Sequence, residues 1–298
     1  MGTTLPMSPT PPQKPAPEGP SALFDRARAR HHRARSARHF QDADFLHRRA
    51  MADIVDRLET VMRSFPEAAF FGTGDLINLL TAQCGVGRPL VLDNAPGRLP
   101  DAGTGTGPVV ADEDRLPLAP GSFDLVVSLL TLHRIDDIIG TLIQYRQALK
   151  PDGLFIAAVF SGETLATVKQ AFLEAETAQG SGAGRRVYPF ADVRQWGNAL
   201  NRAGFTLPVT DIDPVRVTYQ NPDRLFTDLR AMGETSALTP PVPPLTRSVV
   251  ADALSRLAAR GEPTLFEVTY LTAWSPHPDQ PKPLKPGSAT VSMQRVFK

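Results

Sequence analysis

The chain has 298 residues, 42% of them apolar and 21% charged, with a net charge of +1. That is the composition of a globular protein with ample material for a core, and the near-zero charge gives no global case for nucleic acid or an acidic membrane surface as partner. One cysteine, Cys84, excludes an intrachain disulfide and a cysteine-rich metal site; no apolar run is long enough to span a membrane, and the start lacks the charged-then-apolar order of a secretory signal. A cytoplasmic protein is expected.

Residues 1–21 carry seven prolines and almost no large apolar group, so a disordered tail is expected there. An N-terminal helical arm follows over 22–66. Its first part, Arg26 to Arg38, holds six arginines and no acid. Such a run either grips a phosphate-bearing cofactor, an acidic protein surface or nucleic acid, or is a solvated helix face. From Asp42 to Arg63, Leu46, Ala50, Ile54, Leu58 and Val61 recur at helical spacing, and Pro66 ends the pattern.

A main domain is expected over 67–298, with its first strand and a glycine-bearing turn between Glu67 and Leu80. Short apolar runs at Leu90–Asp93, Val109–Ala111, Phe123–Ser128 and Gly153–Phe160 read as further strands buried on both faces. Between the last two, Ile138, Ile139, Leu142, Ile143 and Leu149 form a helical stripe, which makes a right-handed strand–helix–strand unit of an open parallel sheet. Such sheets bind ligands beyond the carboxyl ends of their strands. Only proline- and glycine-rich chain separates Asp93 from Val109, so the usual crossover helix is missing there. Gly162–Thr177 and Ala191–Ala203 read as helices, and Asp136 or Asp137 as the cap of the helix after Phe123–Ser128. Leu207–Tyr219 and Thr264–Trp274 alternate as an antiparallel closing pair. Between these two strands, around 220–262, an insert with helices near Asp223–Ala231 and at Arg247–Arg260 is long enough to cap the site. Arg185 and Arg186 sit in a glycine-rich loop, either as an anion site or as solvated charge. Five prolines over 275–286 make an extended arm.

The segments ADEDRLPL (111–118), GSFDLVVSLLTLH (121–133) and ALKPDGLFIAAVF (148–160) resemble the class I S-adenosylmethionine (SAM) dependent methyltransferases. LFDRARARHHR, FLHRRAMADIVDRL, RAGF at 202–205, AMGE at 231–234 and GSATVS at 287–292 are similar to a narrower group: assembly factor 5 of NADH:ubiquinone oxidoreductase (complex I) and its bacterial relatives. The malonyl-carrier-protein methyltransferases of biotin synthesis are a more distant likeness. The resemblance implies a Rossmann-like α/β fold, with a mostly parallel twisted sheet, an antiparallel last strand and helices on both faces. It also implies SAM as cofactor and a complex I subunit as partner. Three functions are compatible with it: SAM-dependent methyl transfer, the arginine hydroxylation reported for the eukaryotic family form, or a catalytically inactive binding and assembly module.

Carried onto this chain, the family's cofactor contacts are Gly72 and Gly74 in the first loop, Asp93 for the ribose hydroxyls, and Asp112 and Glu113 for the adenine. Asp93 could instead be a turn former, and Asp112 and Glu113 exposed loop acids. His133, after the fourth strand, is a candidate general base or substrate-positioning group, and equally a packed histidine. The loop departs from the family's D-x-G-x-G-x-G pattern, with Phe70 in place of the acid and Leu76 in place of the third glycine. Each lost polar contact costs about 1–3 kcal/mol. Asp101–Gly107 spells the pattern outright, but turn chemistry precedes it and a strand-like run follows, so a glycine-rich connection is the better reading.

Overall fold

The computed structural model describes residues 22–101, 107–180, 182, 184–240 and 242–281. The expected tail at 1–21, the centre of the Asp101–Gly107 stretch and the GSATVS segment lie outside these residues.

Seven strands form one sheet: β1 (Phe65–Phe71), β2 (Val86–Asp93), β3 (Gly107–Val110), β4 (Phe123–Leu129), β5 (Leu149–Ser161), β6 (Thr206–Val217) and β7 (Thr264–Trp274), in the order β3-β2-β1-β4-β5-β7-β6. β3 through β5 in that order are parallel, and β7 runs antiparallel between β5 and β6. The strand order reverses beside β1, so the carboxyl ends of β1, β2 and β4 form the crevice where such sheets take ligands. β1 begins at Phe65, just ahead of the boundary drawn at residue 66.

Each sheet face carries its own core. On one side lies α2 (Phe45–Val61), whose buried Leu46, Ala50, Ile54 and Leu58 are the stripe read from the sequence. They pack with Phe70, Leu125 and Val127. On the other side α3 (Ile138–Ala148) and α5 (Val193–Arg202) bury Leu142, Tyr145, Trp196 and Leu200 against Phe71, Val126 and Phe155. Side chains alternate along a strand, so neighbouring Phe70 and Phe71 serve opposite cores. α4 (Ala166–Ala178), α6 (Pro222–Met232) and α7 (Arg247–Arg260) cap the α2 side beyond β5 and β7. Thr246 caps α7 through Val249 N, and Gly261 ends it at φ 60°, as expected. β6 closes the sheet with Asp211, Asp213 and Pro214 along it. Arg57 and Arg49 of α2 bridge the two acids, a charged edge that discourages strand addition.

The arginine run forms α1 (Arg26–Ser36), capped by Asp25. Its approach is anchored at Asp136, whose Oδ1 accepts from Leu23 N (2.7 Å) and Phe24 N (3.2 Å), while Asp137 caps α3 through Gly140 N. Between β2 and β3 the described residues hold one short 3-10 turn, Pro96–Arg98, and no α-helix, as expected from the proline and glycine there.

Candidate functional site: the carboxyl rim of the sheet

The turn after β1 starts at Gly72 (φ 75°) and Gly74 (φ 52°), left-handed conformations that glycine adopts without strain. A Cβ on Gly72 would lie 2.6 Å from Thr131 Cγ2 and 2.7 Å from Leu129 O; one on Gly74 would lie 2.5 Å from Arg98 O. The glycines therefore admit the protein's own chain. The residues that follow, Gly74–Leu79, make a 3-10 turn. Leu76 is buried with the α2 core, as is Phe70, which is 0% exposed. The two departures from the family loop are thus core residues, and no carboxylate stands at the end of β1.

Asp93, at the end of β2, is buried and faces Arg33 of α1. Arg33 Nε donates to Oδ1 at 2.8 Å and Nη2 to Oδ2 at 2.6 Å, a two-pronged fork; Nη2 also reaches Gly72 O at 3.4 Å. The side chains are 2% and 0% exposed. Burial pushes the Asp93 carboxyl up, but the Arg33 charge and hydrogen bonds outweigh it and hold the group below the usual carboxylate range. Burial likewise lowers Arg33, and Asp93 more than restores it. Arg26 and Arg30, two turns and one turn earlier on the same helix face, meet Asp114 and Asp112 respectively at 2.5 Å. Both arginines are well exposed, so these pairs contribute little stability. Glu113 instead accepts from Ser128 Oγ (2.6 Å) and from the Tyr145 hydroxyl. Burial raises its pKa against those hydrogen bonds.

Around Asp93, Gly72, Glu113 and Thr131 the space left is about 70 Å³. Sites for ligands of cofactor size are roughly 300–1,000 Å³. With α1 seated, the residues at the rim do not fit SAM: the ribose acid is occupied by Arg33, the acid of the first loop is a buried phenyl ring, and the space is several-fold too small.

His133 lies behind the rim. Its Nε2 is 3.1 Å from Glu234 Oε2, and its ring edge meets Phe160 with centroids 5.1 Å apart. Burial lowers its pKa, opposed by Glu234, so the ring is neutral at pH 7. Glu234, just past α6, also faces Arg134 Nη1 at 3.7 Å. Burial alone would raise Glu234; the Arg134 cation and then His133 hold it below the usual range. The pair ties the turn after β4 to the cap.

Buried His47 is pushed well below 6.5, by burial first and then by the Arg98 charge. His47 and His133 give one expectation. Both have depressed folded-state pKa values, so the unfolded chain takes up protons first as pH falls below about 6.5. Unfolding free energy should drop there by up to about 1.4 kcal/mol per pH unit per histidine, and His47→Leu should remove part of that slope in urea titrations at pH 7.5 and 5.5.

Arg186 is not simply solvated: it forks onto Glu176 at 2.5 and 3.2 Å, while Arg185 is exposed. The arginine run is likewise more than a solvated face, because α1 grips the chain's own rim. No single residue type marks Arg33, but Arg26, Arg30 and Arg33 stand at i, i+4 and i+7, one helix face, which is a readable signal. Glu234 had none beyond its place in the AMGE segment. Among the described residues no group of three His, Cys, Asp or Glu is placed to hold a metal ion.

A mostly parallel seven-stranded sheet, helices on both faces and an acid-lined carboxyl rim define a Rossmann-like methyltransferase-fold protein, and a methyltransferase domain model matches residues 71–157. The chain is 34% identical to the arginine-hydroxylase NDUFAF5, mitochondrial, of Danio rerio over 289 residues, which is 93% of this chain and 90% of the relative. It belongs to the NDUFAF5 family of class I methyltransferase-fold proteins. It is also 30% identical to the malonyl-[acyl-carrier protein] O-methyltransferase of Laribacter hongkongensis (strain HLHK9), over 85% of this chain and 90% of that one. A methyltransferase of Haloferax volcanii, solved with its Trm112 activator, aligns over 82% of this chain and 99% of its own with a TM-score of 0.48 and 18% identity.

Proposed function

We propose that this chain works as an NDUFAF5-type assembly factor that holds a protein partner, by family likeness a complex I subunit, while its own first helix shuts the cleft where a methyltransferase would hold SAM. One observation carries this reading: the buried fork of Arg33 on Asp93. Separating a buried ion pair costs up to about 3–5 kcal/mol, or two to nearly four decades of affinity. A micromolar cofactor site would become a millimolar one. Titration calorimetry with SAM and S-adenosylhomocysteine should give dissociation constants weaker than about 1 mM; a value near 1 µM would sink the reading.

A second reading rests on the same carboxylates. Asp93, Asp112 and Asp114 already hold three guanidinium groups of α1. If α1 leaves, they face outward as a receptor for a partner's arginine, in keeping with the arginine hydroxylation for which the NDUFAF5 relatives are named. Mass spectrometry of the partner subunit after incubation separates the two: an added oxygen on an arginine supports modification, and a co-purifying but unmodified subunit supports holding alone.

The compartment we read as cytoplasmic. Cys84 is buried and free, which suits a reducing environment. No described helix is long and apolar enough to cross a membrane.

A further inference from the structure

A second hollow, unrelated to the rim chemistry, lies under the cap. It has a volume of about 560 Å³, within the roughly 300–1,000 Å³ of small-molecule sites and eight-fold larger than the space at the rim. Its walls come from five parts of the chain: Phe160 of β5, Phe172 of α4, Phe190 of the following loop, Phe226 and Leu229 of α6, and Leu254 of α7. Phe190, Phe226 and Leu229 are only half buried although they pack on the main core, because they face the hollow, and Leu254 is half buried as well. Single exposed apolar side chains on a surface are ordinary. Several converging on one concavity, from elements far apart in sequence, are the make-up of a ligand site.

Arg186, Asp223 and Arg230 also line it, Arg186 already held by Glu176 and by Pro243 O, but the buried polar atoms left without a partner sit on two adjacent residues. Glu234 lines the hollow with a side chain 5% exposed, and its Oε1 has no hydrogen-bond partner among the described residues; the nearest cation is Arg134 Nη1 at 3.7 Å. Beside it, Thr235 Oγ1 is buried and likewise without a partner. A buried polar atom left unpaired is costly, so each such atom is a place where a ligand's hydrogen bond would be gained at little desolvation cost. A carboxylate oxygen accepts only, and a hydroxyl donates and accepts. At this end an anionic head would be repelled by Glu234, while a cationic head would meet an acid already compensated by the Arg134 cation. What fits is a neutral donor.

We propose that this cavity binds an uncharged amphiphile, with an aliphatic or aryl body of small-molecule size and a hydroxyl or amide N–H at one end that donates to Glu234 Oε1 and accepts from Thr235 Oγ1. The site goes beyond the assembly reading and does not rest on it, since its walls are separate from Asp93 and Arg33.

The test uses the full chain and 1-octanol as probe, with octanoate as the charged counterpart, followed by calorimetry and by the intrinsic fluorescence of the protein. Expected are saturable one-to-one binding of octanol and at least ten-fold weaker binding of octanoate. Leu254→Trp, which fills the hollow, should abolish octanol binding, with circular dichroism and thermal unfolding confirming that the variant folds. Thr235→Val removes one hydrogen bond at nearly constant volume and should weaken octanol several-fold while leaving the fold intact. Octanol that fails to saturate, octanoate that binds as tightly, or a folded Leu254→Trp that binds octanol unchanged would each overturn the assignment. The SAM titration has an independent outcome in all these cases.

Discussion

Arg33→Ala is expected to lower the unfolding free energy by about 3–5 kcal/mol, because it leaves the Asp93 carboxylate buried and unpaired. Among the described residues Arg33 is the one cation that hydrogen-bonds to Asp93, through both Nε and Nη2. Asp93 also accepts from Ala95 N at 2.9 Å, which holds the carboxylate in place but does not neutralise it. The loss should be pH-dependent. In the wild type the folded-state pKa of Asp93 lies below its ordinary value, so its contribution is present above pH 4 or so and fades as pH falls through the folded pKa. In Arg33→Ala that contribution is gone, and the variant's stability should approach the wild type's only in strong acid. Replacing both partners together, as Arg33→Met with Asp93→Leu, should cost far less than either single change, since it removes the charge as well as its partner. Urea denaturation of the four proteins gives the coupling energy directly. Arg33→Ala is also the variant in which α1 is free to leave the rim.

Glu234→Ala comes next, at about 3–5 kcal/mol. It strips the acid from between Arg134 and His133, whose side chains are 8% and 1% exposed. The buried Arg134 cation is then uncompensated apart from its bond to Gly233 O at 3.1 Å. Glu234→Gln keeps the acceptor for His133 and should cost visibly less, so the difference between the two variants isolates the charge. Because the pair joins the turn after β4 to the end of α6, hydrogen exchange in Glu234→Ala should rise at both, and not at α3 or α5. A uniform rise across the sheet would mean that the pair is not a local tie.

Much of the fold was legible because burial writes itself into periodicity. β7 and α7 fall on the segments read from the chain, and the α2 stripe on the residues named for it, since a strand pair or helix that buries one face must repeat its apolar residues at the matching period. Boundaries drifted where local chemistry overrode the pattern. α4 starts at Ala166 rather than Gly162, because Gly162 and Leu165 take left-handed conformations first. β5 begins at Leu149, ahead of the turn-like Lys150–Gly153, and absorbs it with a register shift against β4.

The site was half legible. Asp93, Asp112, Glu113 and Gly72 do gather at the rim, where strand ends and the order reversal bring them, while Gly74 lies beside Phe40 and Arg98 instead. Their partners were not predictable, because α1 reaches the rim from sixty residues away and which of six arginines turns inward depends on how that helix docks. Phe70 could be seen to break the loop pattern; that it fills the α2 core depends on strand pleat. His133 could be listed as a candidate, but its neutral, buried state follows from Phe160 and Glu234, which only the folded chain brings to it.

The most direct test is an experimental density map of the protein crystallised with saturating S-adenosylhomocysteine. The expected result is Arg33 forked on Asp93, with no adenosyl group between Gly72 and Asp93. Ribose hydroxyls bound to Asp93, with α1 swung off the rim, would contradict the closed cleft.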